Sequence, residues 1–233
     1  MTLQVCQMNK KLNIAIDGLS GSGKSTLAKK LSEHYNIIYL DTGALYRTVG
    51  LRIQQLDISY EDTENIIKAL PDVDISLNLN GVRAEILLCG KPVGDEIRTP
   101  VSSMYASAIS KIPEVRHFLF ETQRRLATEY SCVMDGRDIG TIIMPNADVK
   151  LYLKANNEKR AARRYNELKE KGVQVALDEI RDAMAKRDEN DSKREIAPAD
   201  AIAPDAVVID NSDITVDEMV AMAIRIIDEA VTT

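Results

Sequence analysis

Residues 12–26 read LNIAIDGLSGSGKST, and no other stretch restricts the fold as much. Leu12, Ile14, Ala15 and Ile16 form an apolar run with the length of a buried strand. A glycine turn follows at Gly18, and KSTLAKKLSEHY then sets Leu27 and Leu31 four apart on one helical face. Gly18, Gly23, Lys24 and Ser25 satisfy the spacing GxxxxGK[ST]. The strand–turn–helix setting is what that chemistry needs, because glycines let backbone N–H groups curl around phosphate oxygens and the helix N-terminus adds positive potential. Gly18, Leu19, Ser20, Gly21, Ser22, Gly23, Lys24, Ser25 and Thr26 are therefore the expected nucleoside triphosphate loop. Lys24 would reach the β and γ phosphates, and the Ser25 hydroxyl would ligate Mg²⁺.

The opening continues as βαβα. Residues 36–40 (NIIYL) repeat the strand signal, and Leu45, Val49, Ile53 and Leu56 mark the expected buried face of a second helix. The pattern then switches to period two. Val73, Ile75, Leu77 and Leu79 alternate up to Asn80-Gly81, and Val82, Ala84, Ile86 and Leu88 alternate after it, which predicts a hairpin. With a third strand near Val93, residues of about 70–99 are expected as a small antiparallel subdomain inserted into the core. Helices are predicted over 102–109 and 113–129, strands over 132–135, 149–153 and 206–210, a charged helical region over 157–193 and a last helix over 216–230. The fold class is thus α/β, of the P-loop NTPase type: a doubly wound five-stranded parallel sheet carrying an antiparallel insertion. We expect one domain over 1–230, its core drawn from 11–60, 100–155 and 200–230.

Charge decides how a phosphate ligand is caught. The formal net charge is −6, which disfavours broad binding to nucleic acid or an anionic membrane, so any anion must meet a local cluster of Lys and Arg. No apolar run approaches the ~20 residues that span a bilayer. Cys6, Cys89 and Cys132 show neither CxxC nor Cys/His ligand spacing and are read as reduced thiols. A monomeric protein of the cytoplasm is expected.

The loop alone does not name the acceptor, since switches, motors and small-molecule kinases share it. Base recognition in GTPases uses an NKxD element after a later strand; here Asn-Lys occurs at Asn9-Lys10, ahead of the first strand, which disfavours a switch. DGRD at 135–138 follows an apolar strand and so lies at the carboxyl edge of the sheet, where open α/β folds bind ligands. This makes Arg137 and Asp138 candidate site residues. Asp135, which ends that strand, is a candidate for holding Mg²⁺ through water. An acceptor that is itself a phosphate needs no general base, its second pKa being about 6. That suits a chain whose His34 and His117 lie in helices without a catalytic companion. Phosphate-to-phosphate transfer, as by a mononucleotide kinase, fits these residues best.

IDGLSGSGKST, LDTGALYR, GDEIRTP, PEVR, DGRDIGT, RDENDSKR and VVIDNS stand in an order and spacing that resembles bacterial cytidylate kinases from about Lys11 to Ala230. The resemblance implies ATP and Mg²⁺ at residues 18–26, with CMP and by inference dCMP as acceptor, in pyrimidine nucleotide metabolism. It implies that Thr42, Arg47, Arg116, Arg137, Asp138, Asp191 and Arg194 surround CMP. Asp138 and Arg116, assisted by Ser107, complement the cytosine edge; Arg47, Arg137 and Arg194 suit the α-phosphate. Asp191 suits a ribose hydroxyl. It also implies a mobile lid over about 156–172 whose Arg160, Arg163 or Arg164 joins Lys24 and Arg137 in catalysis. Two other readings stand beside it: a kinase for UMP or a broader pyrimidine acceptor, and a nucleotide-binding regulator without acceptor. MTLQVCQ has no counterpart in the family pattern, so translation is expected to begin at Met8.

Overall fold

The computed structural model describes residues 11–170, 172–193, 198 and 201–232. Its parallel core comprises β1 (Asn13–Gly18), β2 (Ile38–Asp41), β6 (Cys132–Gly136), β7 (Val149–Lys154) and β8 (Val207–Asp210), in the spatial order β2-β6-β1-β7-β8. The helices between them are α1 (Lys24–Tyr35), α2 (Thr42–Gln55), α3 (Thr63–Ala69), α4 (Pro100–Ile109), α5 (Pro113–Glu129), α6 (Asn157–Glu170) and α7 (Leu177–Ser192), and α8 (Val216–Thr232) closes the fold. All five core strands fall where the apolar runs predicted them.

Strand periodicity distributes the core into two layers. Ile14 and Ile16 of β1 point into one layer with Leu27 and Leu31 of α1 and Met219, Ala223 and Ile227 of α8. Ala15, between them, points into the other with Leu45, Val49 and Ile53 of α2 and Leu119 of α5. Burying such side chains contributes about 1.5–3 kcal/mol each. Leu56 departs from expectation: α2 ends at Gln55, the chain turns through Asp57 at φ 54°, and Leu56 is left exposed.

The hairpin forms from β3 (Ile75–Asn80) and β4 (Arg83–Leu88), with β5 (Lys91–Pro92) short and antiparallel to β4. It joins the core sheet. β4 runs parallel to β2 through the register pair Tyr39↔Arg83, and the Tyr39 N–H donates to the Val82 carbonyl at 3.2 Å. The insertion thereby covers an edge that β2 would otherwise present unpaired.

The charged region at 157–193 divides into α6 and α7, which pack through a small apolar cluster of Ala161, Ile180 and Met184. The lid expected over 156–172 is thus one arm of a helical pair that extends to Ser192. None of the described helices is long and apolar enough to cross a membrane.

Candidate active site

The carboxyl ends of β1, β2 and β6 open onto a cleft of about 1600 Å³. The phosphate loop forms one wall. Gly18 sits at φ 144°, and a Cβ added there would lie 2.3 Å from the Leu153 carbonyl oxygen, so only glycine lets β1 pass that close to β7 before turning. Gly23, at φ 92°, ends the turn and starts α1 without a side-chain cap, leaving the first N–H groups of the helix available to an anion.

Ser20, Gly21, Gly23, Lys24, Ser25 and Thr26 line the cleft, whereas Gly18, Leu19 and Ser22 lie behind its surface. Those three act on the loop itself. The Leu19 carbonyl accepts from Lys24 Nζ at 2.8 Å, and the Ser22 carbonyl accepts from Asn211 Nδ2 at 2.7 Å. Burial, and then the neighbouring Arg137 guanidinium, holds the Lys24 ammonium below the usual lysine range. A polyphosphate in the loop would reverse that pressure by supplying negative charge.

Ser25 Oγ donates to Asp135 Oδ2 and Tyr39 OH donates to Asp135 Oδ1, each at 2.9 Å. The Asp135 carboxyl is pushed upward chiefly by burial, then by Asp41, and Lys24 opposes the shift. A serine hydroxyl beside a carboxylate is a hard oxygen pair that fits Mg²⁺, an ion that keeps several waters and takes substrate phosphates as ligands. Among the described residues no group of three His, Cys, Asp or Glu side chains forms a protein-only metal cage.

Elsewhere along the cleft the cations come with anions attached. Arg47 pairs with Asp41 at 2.8 Å, the carboxylate that also caps α2 by accepting from the Ala44 N–H. Arg116 of α5 is buried, donates to Asp138 Oδ2 and is further held by the Ser110 carbonyl. Arg137 Nε donates to Asp191 Oδ2 at 3.2 Å, linking the segment after β6 to α7. Thr42 Oγ1 donates to the Asp135 carbonyl at 2.7 Å, which fixes its hydroxyl at the base of the cleft. Ser107 also lines the cleft. Arg187 belongs with this set and the sequence reading missed it. It lines the cleft, lies within 4.0 Å of Asp191, and contributes to the lowered Lys24 pKa. Its signal was the four-residue spacing from Arg187 to Asp191, which puts both on one face of a helix.

The three arginines of α6 divide. Arg163 and Arg164 line the cleft, the former donating twice to Asn211 and the latter paired with Glu167. Arg160 does not line it. The residue is 2% exposed, and its guanidinium donates to the Ser20 carbonyl, Asn157 Oδ1 and Asp188 Oδ2, so it anchors α6 to the phosphate loop rather than facing the cleft. Three of its five N–H donors are engaged in this way and its Nε has no hydrogen-bond partner, so the expectation that Arg160 joins catalysis stands as a proposal beside its place under the loop. Arg194 and Met8 lie outside the described residues.

One further carboxylate was not singled out from sequence. Asp17, at the end of β1, accepts from the Ile139 N–H at 2.8 Å and the Gly140 N–H at 2.7 Å, tying the strand before the loop to the π-helical turn Ile139–Ile143 after DGRD.

Residues 14–229 match the family model described as cytidylate kinase. The chain belongs to that family. The cytidylate kinase of Caldicellulosiruptor bescii is 45% identical over 217 residues, covering 93% of this chain and 96% of that protein. The cytidylate kinase of Caldanaerobacter subterraneus subsp. tengcongensis is 45% identical over 213 residues, covering 91% and 93%. Among solved structures, an uncharacterized protein from Eubacterium ventriosum shares the fold, with a TM-score of 0.53 at 17% identity and coverage of 94% of this chain and 99% of that one. Cytidylate kinases are nucleoside monophosphate kinases, and membership makes this chain a phosphotransferase acting on small nucleotides.

Proposed function

We propose that this chain transfers the γ-phosphoryl group of ATP to CMP, yielding CDP and ADP, and that dCMP is also accepted. The observation that carries the reading is the buried Arg116–Asp138 pair, which faces the same cleft as the phosphate loop and Lys24. Cytosine offers an N4 amino donor beside N3 and O2 acceptors, so the Asp138 carboxylate accepts from N4 while the Arg116 guanidinium donates to the acceptors. Ser107 supports the same edge. Uracil reverses donor and acceptor at two of these positions, leaving buried polar groups unpaired at about 1–3 kcal/mol each.

Arg47, Arg137 and Arg187, with Arg194, hold the CMP phosphate, planar guanidinium forks matching its oxygens in pairs. Asp191 takes a ribose hydroxyl. The acceptor phosphate is already ionised at neutral pH and attacks without a general base, so catalysis consists of alignment and charge neutralisation. Lys24 and the loop N–H groups hold the β and γ phosphates, and Arg163 and Arg164 reach the transferring group from the lid. Mg²⁺, held through Ser25 and Asp135, would neutralise charge on the β and γ phosphates. The proposed setting is a cytoplasmic monomer, in keeping with the net charge of −6 and unbridged Cys89 and Cys132.

The test is ADP formation from MgATP with CMP, dCMP, UMP, AMP and GMP offered in turn beside a control without acceptor. Turnover with CMP and dCMP, and little with UMP, is expected. Equal turnover with UMP would reassign the base reading, and ADP release no faster than the control with every acceptor would overturn the kinase reading.

A further inference from the structure

The Arg116–Asp138 pair is itself gripped from one side by an aromatic ring. Arg116, Phe120 and Arg124 recur every four residues along α5 and so share one face of the helix. The Arg116 guanidinium carbon lies 5.1 Å from the centroid of the Phe120 ring, and that of Arg124 lies 5.9 Å from the same centroid. Both arginines hold the segment that follows β6. Arg116 donates to Asp138, and Arg124 Nη2 donates to the Ile142 carbonyl at 2.9 Å, four residues further along the π-helical turn. Phe120 itself is half-buried and packs against the larger apolar layer.

We propose that Phe120 is a positioning residue for base selection: its ring orients the Arg116 guanidinium, and the ring with Arg124 clamps the turn that presents Asp138. The inference rests on the base reading given above. A buried guanidinium with one carboxylate and one carbonyl as partners still has freedom to roll about its long axis. The negative face of an aromatic ring favours the cation near it and removes that freedom. Arg116 Nη1 reaches the Ser110 carbonyl at only 3.4 Å, a weak restraint by comparison. Without the ring, the donor fork that complements N3 and O2 of cytosine is no longer held in one plane, and selectivity falls before phosphate transfer does.

The experiment compares kcat and KM for CMP, UMP and ATP in the unsubstituted protein, Phe120→Met, Phe120→Tyr, Arg124→Gln and Asp138→Asn, with thermal unfolding of each. Methionine keeps most of the bulk and loses the ring face; tyrosine keeps both. Phe120→Met is expected to raise the KM for CMP and narrow the CMP over UMP ratio of kcat/KM by about fivefold to tenfold, with the KM for ATP unchanged. Phe120→Tyr should behave as the unsubstituted protein. Arg124→Gln, at an exposed position, should shift the same ratio by about twofold to threefold and serves if the methionine variant fails to fold. The proposal is overturned if Phe120→Met leaves the ratio within twofold, if the KM for ATP rises as much as that for CMP, or if tyrosine fails to restore selectivity. Asp138→Asn separates the two levels: an unaltered ratio in that variant removes the base reading, whereas a narrowed ratio there with a normal one in Phe120→Met removes only the role of the ring.

Discussion

Residues 18–26, consecutive in the chain, form the loop proposed as the donor side, whereas Arg47, Arg116, Asp138 and Asp191, proposed as the acceptor side, come from α2, α5, the turn after β6 and α7. The chemistry differs as much as the construction. The loop offers mainly backbone N–H groups and one lysine whose ammonium finds a single carbonyl, that of Leu19. The acceptor side offers guanidinium groups already held by carboxylates in the pairs Arg47–Asp41, Arg116–Asp138 and Arg137–Asp191. A main-chain cradle depends on φ angles, so it is sensitive to glycine replacement and insensitive to most other changes. A pocket of prepaired side chains depends on each member separately, because removing one leaves its buried partner without compensation.

Replacing Lys24 is the strongest test of this contrast. Lys24→Met is expected to lower kcat by about 10²–10³ while the KM for CMP stays within a few-fold, since a lost transition-state contact acts on turnover. A matching rise in the KM for CMP would show that the two sides form a single unit. Next comes Gly18→Ala, which forces a Cβ to 2.3 Å from the Leu153 carbonyl at a φ of 144°. A loss of about 1–3 kcal/mol follows from overpacking, seen as a lower unfolding temperature. Asp138→Asn should narrow the CMP over UMP ratio by about tenfold with ATP kinetics unaffected. A change confined to ATP would move Asp138 to the other side of the comparison.

The smallest effect concerns the group that joins the two sides. Burial pushes the Asp17 carboxyl up from 3.8 to about 6, against the opposing N–H groups of Gly140 and Ile139. The folded chain therefore holds this proton more tightly than the unfolded chain, so the associated stability is present below about pH 4 and lost as pH rises through about 6. Between those limits Asp17→Asn should show a shallower change of unfolding temperature with pH than the unsubstituted protein when both are free of nucleotide. Parallel pH profiles would remove Asp17 from the account of stability.

Much of the architecture was legible because its signals are local. Leu12, Ile14, Ala15 and Ile16 form one apolar run, and that run with Leu27 and Leu31 four apart specifies a strand, a turn and a helix from one short segment. Asn80-Gly81 between alternating runs specifies the hairpin for the same reason. The edge that hairpin occupies was not legible, because Tyr39 and Arg83 meet only after β2 has taken its place in the sheet. Arg160, Arg163 and Arg164 show the limit most clearly. Their spacing gives a helix, but which guanidinium faces the cleft depends on where Ser20, Asp188 and Asn211 stand around it. Leu56 was misjudged on similar grounds: periodicity continues past Gln55, but the left-handed turn at Asp57 ends the helix first.

From its sequence alone this protein is determined as a parallel α/β chain with a phosphate loop at the end of its first strand and an antiparallel insertion, since each local signal behind those features comes from residues within about twenty positions of one another. Only the tertiary structure decided that Asp135 is shared by Ser25 and Tyr39, that Arg187 enters the cleft and Arg160 stays beneath it, and that the Phe120 ring backs the Arg116 guanidinium. The physical reason is the range of the interactions. Hydrogen bonds and ion pairs act over a few ångströms in space, between side chains that the chain itself holds as much as 193 residues apart.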